Sequence, residues 1–391
     1  MQGTPSEGAV ENRFLQASRT KRIEGAGSLE VFVLAAPSST LDDPREQFAS
    51  MVTNACDALK AEEFAPGDIV GGWIHFAAPP AWPWREMLSS AWKLPTAGPL
   101  PITPLLQPPA APSCFCSLLV HAVRSHGASR VWCGLTTQPA ASTVLRAGAR
   151  HLRLTSIAPR TELAPGSTVA EAAYDMLAQA SHALTARGLS FKDVVRTWIV
   201  VRDIHRNYEA VNQARNQFFA EQQIVRLPAS TCVEGTLEVS GCPVAMDLYA
   251  VAGTEQVRVE AIPPGFMGDA TAYGSSFARG TLIDEPGRSM VYLSGTASID
   301  AQGAVVSLGS VSGQLDCMLG NALSLLGQVG MDFGHVVSAV AYLKRAGDYG
   351  EFLQAASAHG LPASVPTAVV VANICRPEWL CEIELCAAKA T

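Results

Sequence analysis

Charge is scarce in this sequence: Asp, Glu, Lys and Arg make up 16% of its 391 residues, and the net charge is −7. No basic stripe is present to neutralise phosphates, so a nucleic-acid partner is not expected. No apolar run approaches the length of a membrane span, so no membrane partner is expected either. Residues 1–25 lack the apolar core of a secretory signal and are expected to be mobile. The 10 cysteines include no CxxC pair; Cys114 and Cys116 are the nearest neighbours. That usage suits reduced, mostly buried thiols in a cytoplasmic protein and argues against a disulfide framework or a zinc site. His75, His121, His205 and His335 do not fall with carboxylates at metal-ligand spacing. No metal and no cofactor are expected.

What is present is one pattern, three times. A helix ends, a short turn follows, and an apolar strand begins. The first helix spans residues 43–60, with Asp43 as N-cap, Pro44 at the first helical position and Glu46 completing a capping box. Phe48, Met51, Val52, Ala55 and Leu59 form its apolar stripe, and a strand segment follows at 66–76. The second helix, 168–187, carries Val169, Ala173, Met176, Leu177, Ala180 and Leu184 on one face. Gly188 stands where a C-cap glycine belongs, and the strand is 192–201. The third helix, 311–329, is striped by Leu315, Met318, Leu319, Ala322, Leu325 and Leu326, with its strand at 334–343.

Ile69, Val194 and Val336 match across the copies, 125 and 142 residues apart, so the repeat is a domain and not a solenoid turn. Strands precede each long helix, at 31–36, 151–158 and 290–299. A second, shorter helix follows each strand, near 82–93, 208–221 and 349–359, before a final strand or hairpin. The order ββ-αβ-αβ predicts α+β sandwich units with helices on one sheet face. The Pro-rich segment 95–112 reads as a loop closing the first unit. Boundaries near Gly127 and Gly253 give units 1–127, 128–252 and 253–391. The open face of each sheet must be covered. Three copies in one chain predict that each covers the others in an intrachain pseudo-trimer, monomeric or weakly oligomeric, with clefts between units as ligand sites.

The stretch 366–388, PTAVVVANICRPEWLCEIELCAA, reads as two strands joined by a tight connection at 373–378. Over 379–386, alternation sends Trp379, Cys381, Ile383 and Leu385 one way and Leu380, Glu382, Glu384 and Cys386 the other. Glutamate is depleted in strands and expensive to bury. Either this face is solvated, or one of the pair is a carboxylic acid held at an interface to move a proton.

Several motifs carry a resemblance. VVRTWIVVRDIHRNYEAVNQARNQFF, 194–219, presents Arg196, Thr197, Trp198, Ile204, Tyr208, Asn212 and Arg215. LPAST (227–231), YGSSFARG (273–280), LSGTASI (293–299) and ICRPEWLCEIE (374–384) follow in order. The repeat resembles the YjgF-like (chorismate-mutase-like) fold of the enamine/imine deaminases, homotrimers with active sites between subunits. The ordered motifs resemble the chorismatases, a three-in-one version whose first unit is degenerate. The resemblance covers roughly 131–388 well and the first unit only in outline. There are departures. Asp300, Ala301, Gln302 and Gly303 stand where chorismatases usually have Val-Gly-His-Glu. Ser230 and Thr367 occupy the position of the deaminases' carboxylate-holding arginine, and the arginine expected before Ile374 is absent.

The resemblance implies an enzyme that hydrolyses the enol ether of chorismate, releasing pyruvate and a dihydroxycyclohexadienoate or hydroxybenzoate for secondary metabolism. It implies Glu382 as general acid, with Glu384 as the alternative. Arginine clamps carboxylates bidentately. Arg279, Arg215, Arg196 and Arg376 are the candidates, Arg279 foremost. Tyr208 is expected to hydrogen-bond substrate. Ala297 and Cys375 are expected to line the ring pocket and decide the product, and Ser298 or Thr296 to hold a carboxylate or water. The first unit lacks an EIE-like strand, so at most one or two of the three clefts are expected to be competent. Two other readings stay open: hydrolysis of another imine- or enamine-type intermediate, and ligand binding without catalysis.

Overall fold

The structure, a computed structural model, describes residues 17–25, 27–38, 40–93, 101–125, 140–160, 166–238 and 241–391. The expected boundary near Gly127, the first residues of the resemblance from Val131, and Cys133 lie outside the described residues.

The first unit comprises β1 (Ser18–Gly25), β2 (Ser28–Ala35), α1 (Pro44–Ala61), β3 (Ile69–Phe76), α2 (Trp84–Ala91), β4 (Thr103–Leu106) and β5 (Cys116–Ser125). The second comprises β6 (Ala140–Arg146), β7 (Ala149–Ile157), α3 (Val169–Thr185), β8 (Val194–Val201), α4 (Ile204–Glu221), β9 (Ala229–Glu234), β10 (Thr236–Leu237) and β11 (Val244–Ala252). The third comprises β12 (Arg258–Ala261), β13 (Gly280–Glu285), β14 (Arg288–Ala297), α5 (Val311–Gly327), β15 (Val336–Leu343), α6 (Tyr349–Ala358), β16 (Thr367–Val371) and β17 (Cys381–Ala390). The strand orders are β1-β2-β5-β3-β4-β10, β6-β7-β11-β8-β9 and β12-β13-β14-β17-β15-β16. The architecture is the α+β, three-unit arrangement expected.

The long helices form where the stripes predict. Asp43 caps α1 by accepting from the backbone N–H of Arg45 and Glu46, and Thr168 and Glu171 close a capping box on α3. Gly188 takes a φ of +69°, which favours glycine. The stripe of α3 packs on Leu152, Leu154, Val194, Ile199 and Leu248 of its own sheet. The opposite sheet faces meet at the centre. There, Phe32, Val195, Tyr249, Ile283, Tyr292, Val337 and Cys386 form one buried cluster drawn from all three sheets.

Beside that cluster lies a buried ion network that again uses all three units. Glu30 accepts from Arg146, from Arg288 at 2.7 Å, and pairs with His121 at 2.7 Å. Glu285 pairs with Arg146 at 2.9 Å, Arg288 at 2.9 Å and His151 at 3.0 Å.

The ring is also closed along its edges. Each outer parallel strand is extended by the segment that follows the corresponding strand of another unit. Thr236 and Leu237 pair with β4. Ile374 bridges Val233 of β9, with Glu234 N–H donating to Asn373 O at 2.9 Å. Pro109 bridges Val370 of β16, with Ala110 N–H donating to Val369 O at 2.8 Å. Three edges that would otherwise template aggregation are thereby paired.

Several expectations are corrected. Residues 18–25, within the segment expected to be mobile, form a strand paired along its whole length with β2; residues 1–16 lie outside the described residues. The Pro-rich segment contains a strand, β4, because its edge can pair parallel with β3; residues 95–100 of that segment lie outside the described residues. The second helix of the second unit starts at Ile204 and is 18 residues long, one more than α3. The strands of 366–388 do not pair with each other, because β15 lies between them, parallel to β16 and antiparallel to β17. The connection 373–380 therefore crosses over, and that crossing brings Asn373 and Ile374 to the neighbouring unit.

Candidate active site

Strands β3, β8 and β15 are each eight residues long and each follows one 3-10 turn. They therefore superpose residue for residue, placing Trp73, Trp198 and Val340 at one level. Opposite these lie Leu119, Asp247 and Glu384. Two residues on, His75, Val200 and Tyr342 face Ser117, Ala245 and Glu382. Of the three clefts, one holds a carboxyl at the Glu382 level.

That cleft holds a cavity of about 240 Å³ between the second and third units. Glu382 lies on its wall, 4% exposed. Burial and then the neighbouring Glu384 push its carboxyl up to about 8, with Arg196 and Arg279 pulling the other way. Gly295 makes room for it: a Cβ there would collide with the Glu382 carboxyl oxygen. The group is thus a carboxylic acid at neutral pH, facing a cavity.

Arginines supply the opposite character. Arg279 and Arg215 both line the cavity, with their guanidinium carbons 5.5 and 5.7 Å from the Phe277 ring. Arg279 donates from Nε to Gly268 O at 3.1 Å. Arg215 reaches Ser230 Oγ at 3.4 Å and Asn212 Oδ1 at 2.5 Å. Arg376 lies 4.9 Å from the Trp379 ring and donates to Gly303 O at 2.6 Å. Tyr208, Ala297 and Cys375 complete the expected set on the wall. Tyr208 Oη meets Ser275 Oγ at 3.4 Å, and burial pushes both the Tyr208 phenol and the Cys375 thiol up.

Three expected residues are elsewhere. Ser298 is fully buried off the cavity and donates to Val306 O at 2.8 Å. Strand alternation explains this: Ala297 faces the cavity, so its neighbour does not. Thr296 is likewise buried, donating to Ser294 O at 3.0 Å. Arg196 is no clamp of this cavity. Its Nη2 donates to Glu384 at 2.6 Å and to Thr231 Oγ1 at 2.5 Å, and both Arg196 and Glu384 face the central axis. Glu384 also accepts from Trp198 Nε1 at 2.9 Å, and burial raises its carboxyl while Arg196 opposes.

The sequence reading also missed residues. Trp379 was placed on the face opposite Glu382, yet it lines the same cavity, donating to Ser298 O at 3.1 Å. It precedes β17, so strand alternation does not govern it. Gly295, Phe277 and Ser275 were visible only as letters inside matched motifs. Among the described residues, no cluster of three or more His, Cys, Asp or Glu is placed to hold a metal.

The profile of the family described as endoribonuclease L-PSP matches residues 154–252 and 285–389, together just over half of the chain. The fold is similar to that of a crystal structure of a chorismatase, with a TM-score of 0.62 and 19% identity over 82% of this chain and 93% of that one. A member of the YjgF protein family from Neisseria meningitidis matches at 25% identity and a TM-score of 0.26, over 34% of this chain and 94% of that one. E. coli TdcF with bound serine matches at 18% identity and a TM-score of 0.28, over 33% and 98%. No curated protein matches the sequence significantly.

Proposed function

This chain belongs to the endoribonuclease L-PSP family, and from that premise we propose that it hydrolyses the enol ether of a chorismate-like dicarboxylate, releasing pyruvate. The observation that carries the reading is Glu382, a buried carboxylic acid held protonated at neutral pH in a cavity that also presents Arg215, Arg279 and Arg376. An enol ether is cleaved by protonation of its terminal carbon. Glu382 donates that proton and becomes a carboxylate. The oxocarbenium ion that forms takes up water, and the hemiketal collapses to pyruvate and the ring alcohol. The new carboxylate lies near Arg279 and is reprotonated from water. The arginines bind the substrate carboxylates and orient the enol ether toward Glu382. Ala297 and Cys375 shape the wall on which the ring lies, and their size sets whether the dihydrodiol leaves as such or first loses water to become a hydroxybenzoate. The mechanism calls on no cofactor.

A second reading is favoured by one observation. Asp300 accepts from the N–H of Gln302 at 3.0 Å and of Ala304 at 2.8 Å, making 300–304 a turn that holds Arg376 through Gly303 O and brings no acid or base to the cavity. A cleft with one buried acid and several arginines also suits hydrolysis of an imine or enamine carboxylate.

Pyruvate release from chorismate, followed by coupled reduction, tests the first reading. Release by the wild type and its loss in Glu382→Gln is the expected result. A folded wild-type protein that releases none overturns it, and ammonia release from an imino acid then supports the second.

A further inference from the structure

The strand registers that single out Glu382 also show what the other two clefts keep. Leu385 and Val120 lie one residue beyond Glu384 and Leu119, and they pair with Leu293 and Val33. The outer partners of those two are Gly280 and Thr20. Arg279 and Arg19, which precede them, are therefore equivalent. By the same steps Leu248 pairs with Leu154, whose partner is Ala141, so Ala140 is the third member. On the facing strands Ser230 lies opposite Thr197, Thr367 opposite Ala339, and Ile102 just before Thr103 opposite Trp73. The set Glu382, Arg279, Ser230 is thus Ala245, Ala140, Ile102 in one cleft and Ser117, Arg19, Thr367 in the other.

The first substitution set removes every polar group. The second removes only the acid. It keeps an arginine and two hydroxyls, and its cleft still leaves an open-mouthed cavity of about 90 Å³ between the first and third units. Arg19 and Ser117 are each 7% exposed and line this cavity. The Ser117 hydroxyl is buried with no hydrogen-bond partner among the described residues, an expensive vacancy unless something polar meets it. Tyr349 lines the cavity beside Arg19. The remaining wall is largely apolar, with Leu34, Leu41, Pro109, Pro112 and Val369.

We propose that this cleft binds a small monocarboxylate with an apolar ring and does not transform it. Arg19 receives the carboxylate, Ser117 supplies a hydrogen bond, and the apolar wall takes the ring. With serine at the level of the acid this cavity has no carboxylic acid on its wall to protonate the ligand, so the ligand is held and released unchanged. The assignment holds whatever the Glu382 cleft turns over.

Benzoate titrated calorimetrically into the Arg279→Met protein tests this, because that variant weakens the arginine clamp of the first cleft. The expected result is one benzoate per chain, with neutral benzamide bound at least tenfold more weakly. Adding Arg19→Met lowers benzoate affinity tenfold or more. Arg19 is buried, so Ala111→Phe provides a second variant: Ala111 lines the cavity on a loop, and the larger ring fills the space. With the melting temperature unchanged, it too abolishes binding. Absence of benzoate binding, equal binding of benzamide, or binding indifferent to Ala111→Phe overturns the proposal.

Discussion

Gly295 and Glu382 occupy one shared space: the volume a side chain at 295 would fill is taken by the Glu382 carboxyl. β14 therefore carries glycine where its neighbour β17 carries the acid. Gly295→Ala is expected to displace the carboxyl and cut turnover by on the order of 100-fold or more, as loss of a general acid does. Steady-state kinetics beside a thermal melt check this. A folded Gly295→Ala protein with full activity would show that the carboxyl's position is not critical.

The protonation of Glu382 gives a stability signature with a definite sign. Burial pushes its folded carboxyl up to about 8, above the ordinary 4.5. Between those values the native state holds a proton that the unfolded chain has lost. Stability from this group is therefore full below pH 4.5 and declines as pH rises toward 8. Glu382→Gln removes that decline, so the variant gains on the wild type, by on the order of a few kcal/mol, between pH 5 and pH 8.5. Denaturant melts across that range measure it. The same ionisation predicts that turnover falls as pH passes about 8.

Arg196 and Glu384 form a buried pair at 2.6 Å, with Arg196 1% exposed. Removing one partner strands the other charge in the interior. Arg196→Met is expected to cost roughly 3–5 kcal/mol, and adding Glu384→Gln is expected to restore most of it. Chemical melts of the two single variants and the double variant decide the point through their coupling energy.

At the centre, Glu30 binds guanidinium groups from the second and third units and the imidazole of His121 in its own. The surrounding cations hold its carboxyl well below the usual range, against burial. Glu30→Gln is expected to destabilise by about 3–5 kcal/mol, since Arg146 and Arg288 lose a shared partner. The wild type should also weaken in acid. Burial lowers the His121 imidazole from 6.5 to about 4, so stability falls as pH drops through that window, where the unfolded chain takes up the proton first. A melt series from pH 7 to pH 4 on both proteins tests the pair of statements.

Much of this was legible in the chain alone. The helix stripes and caps follow from local periodicity and side-chain chemistry, so the long helices fall within a few residues of their expected bounds. The threefold repeat shows in matched positions such as Ile69, Val194 and Val336. Glu382 stood out as a carboxyl on an apolar strand, and Arg215 and Arg279 through the motifs that carry the resemblance; the three share one cavity. Ser298 was misplaced because it came from a matched motif without regard to alternation past Ala297, and Trp379 because alternation was extended to a residue that precedes its strand. Arg196 was misread because its partner, Glu384, lies 188 residues away and in another sheet.

The sequence by itself determined the elements, their threefold recurrence and the acid in the third unit, because each depends on residues close along the chain. The tertiary structure alone decided which faces meet. It set strand order, so that β15 separates β16 from β17, and it turned Glu384 inward to Arg196 while leaving Glu382 at the cavity. It also brought Arg19 and Ser117 together with Thr367, which lies 348 and 250 residues further on. Those outcomes depend on register and on contacts between distant segments, which burial and charge pairing select only when all three sheets close on one another.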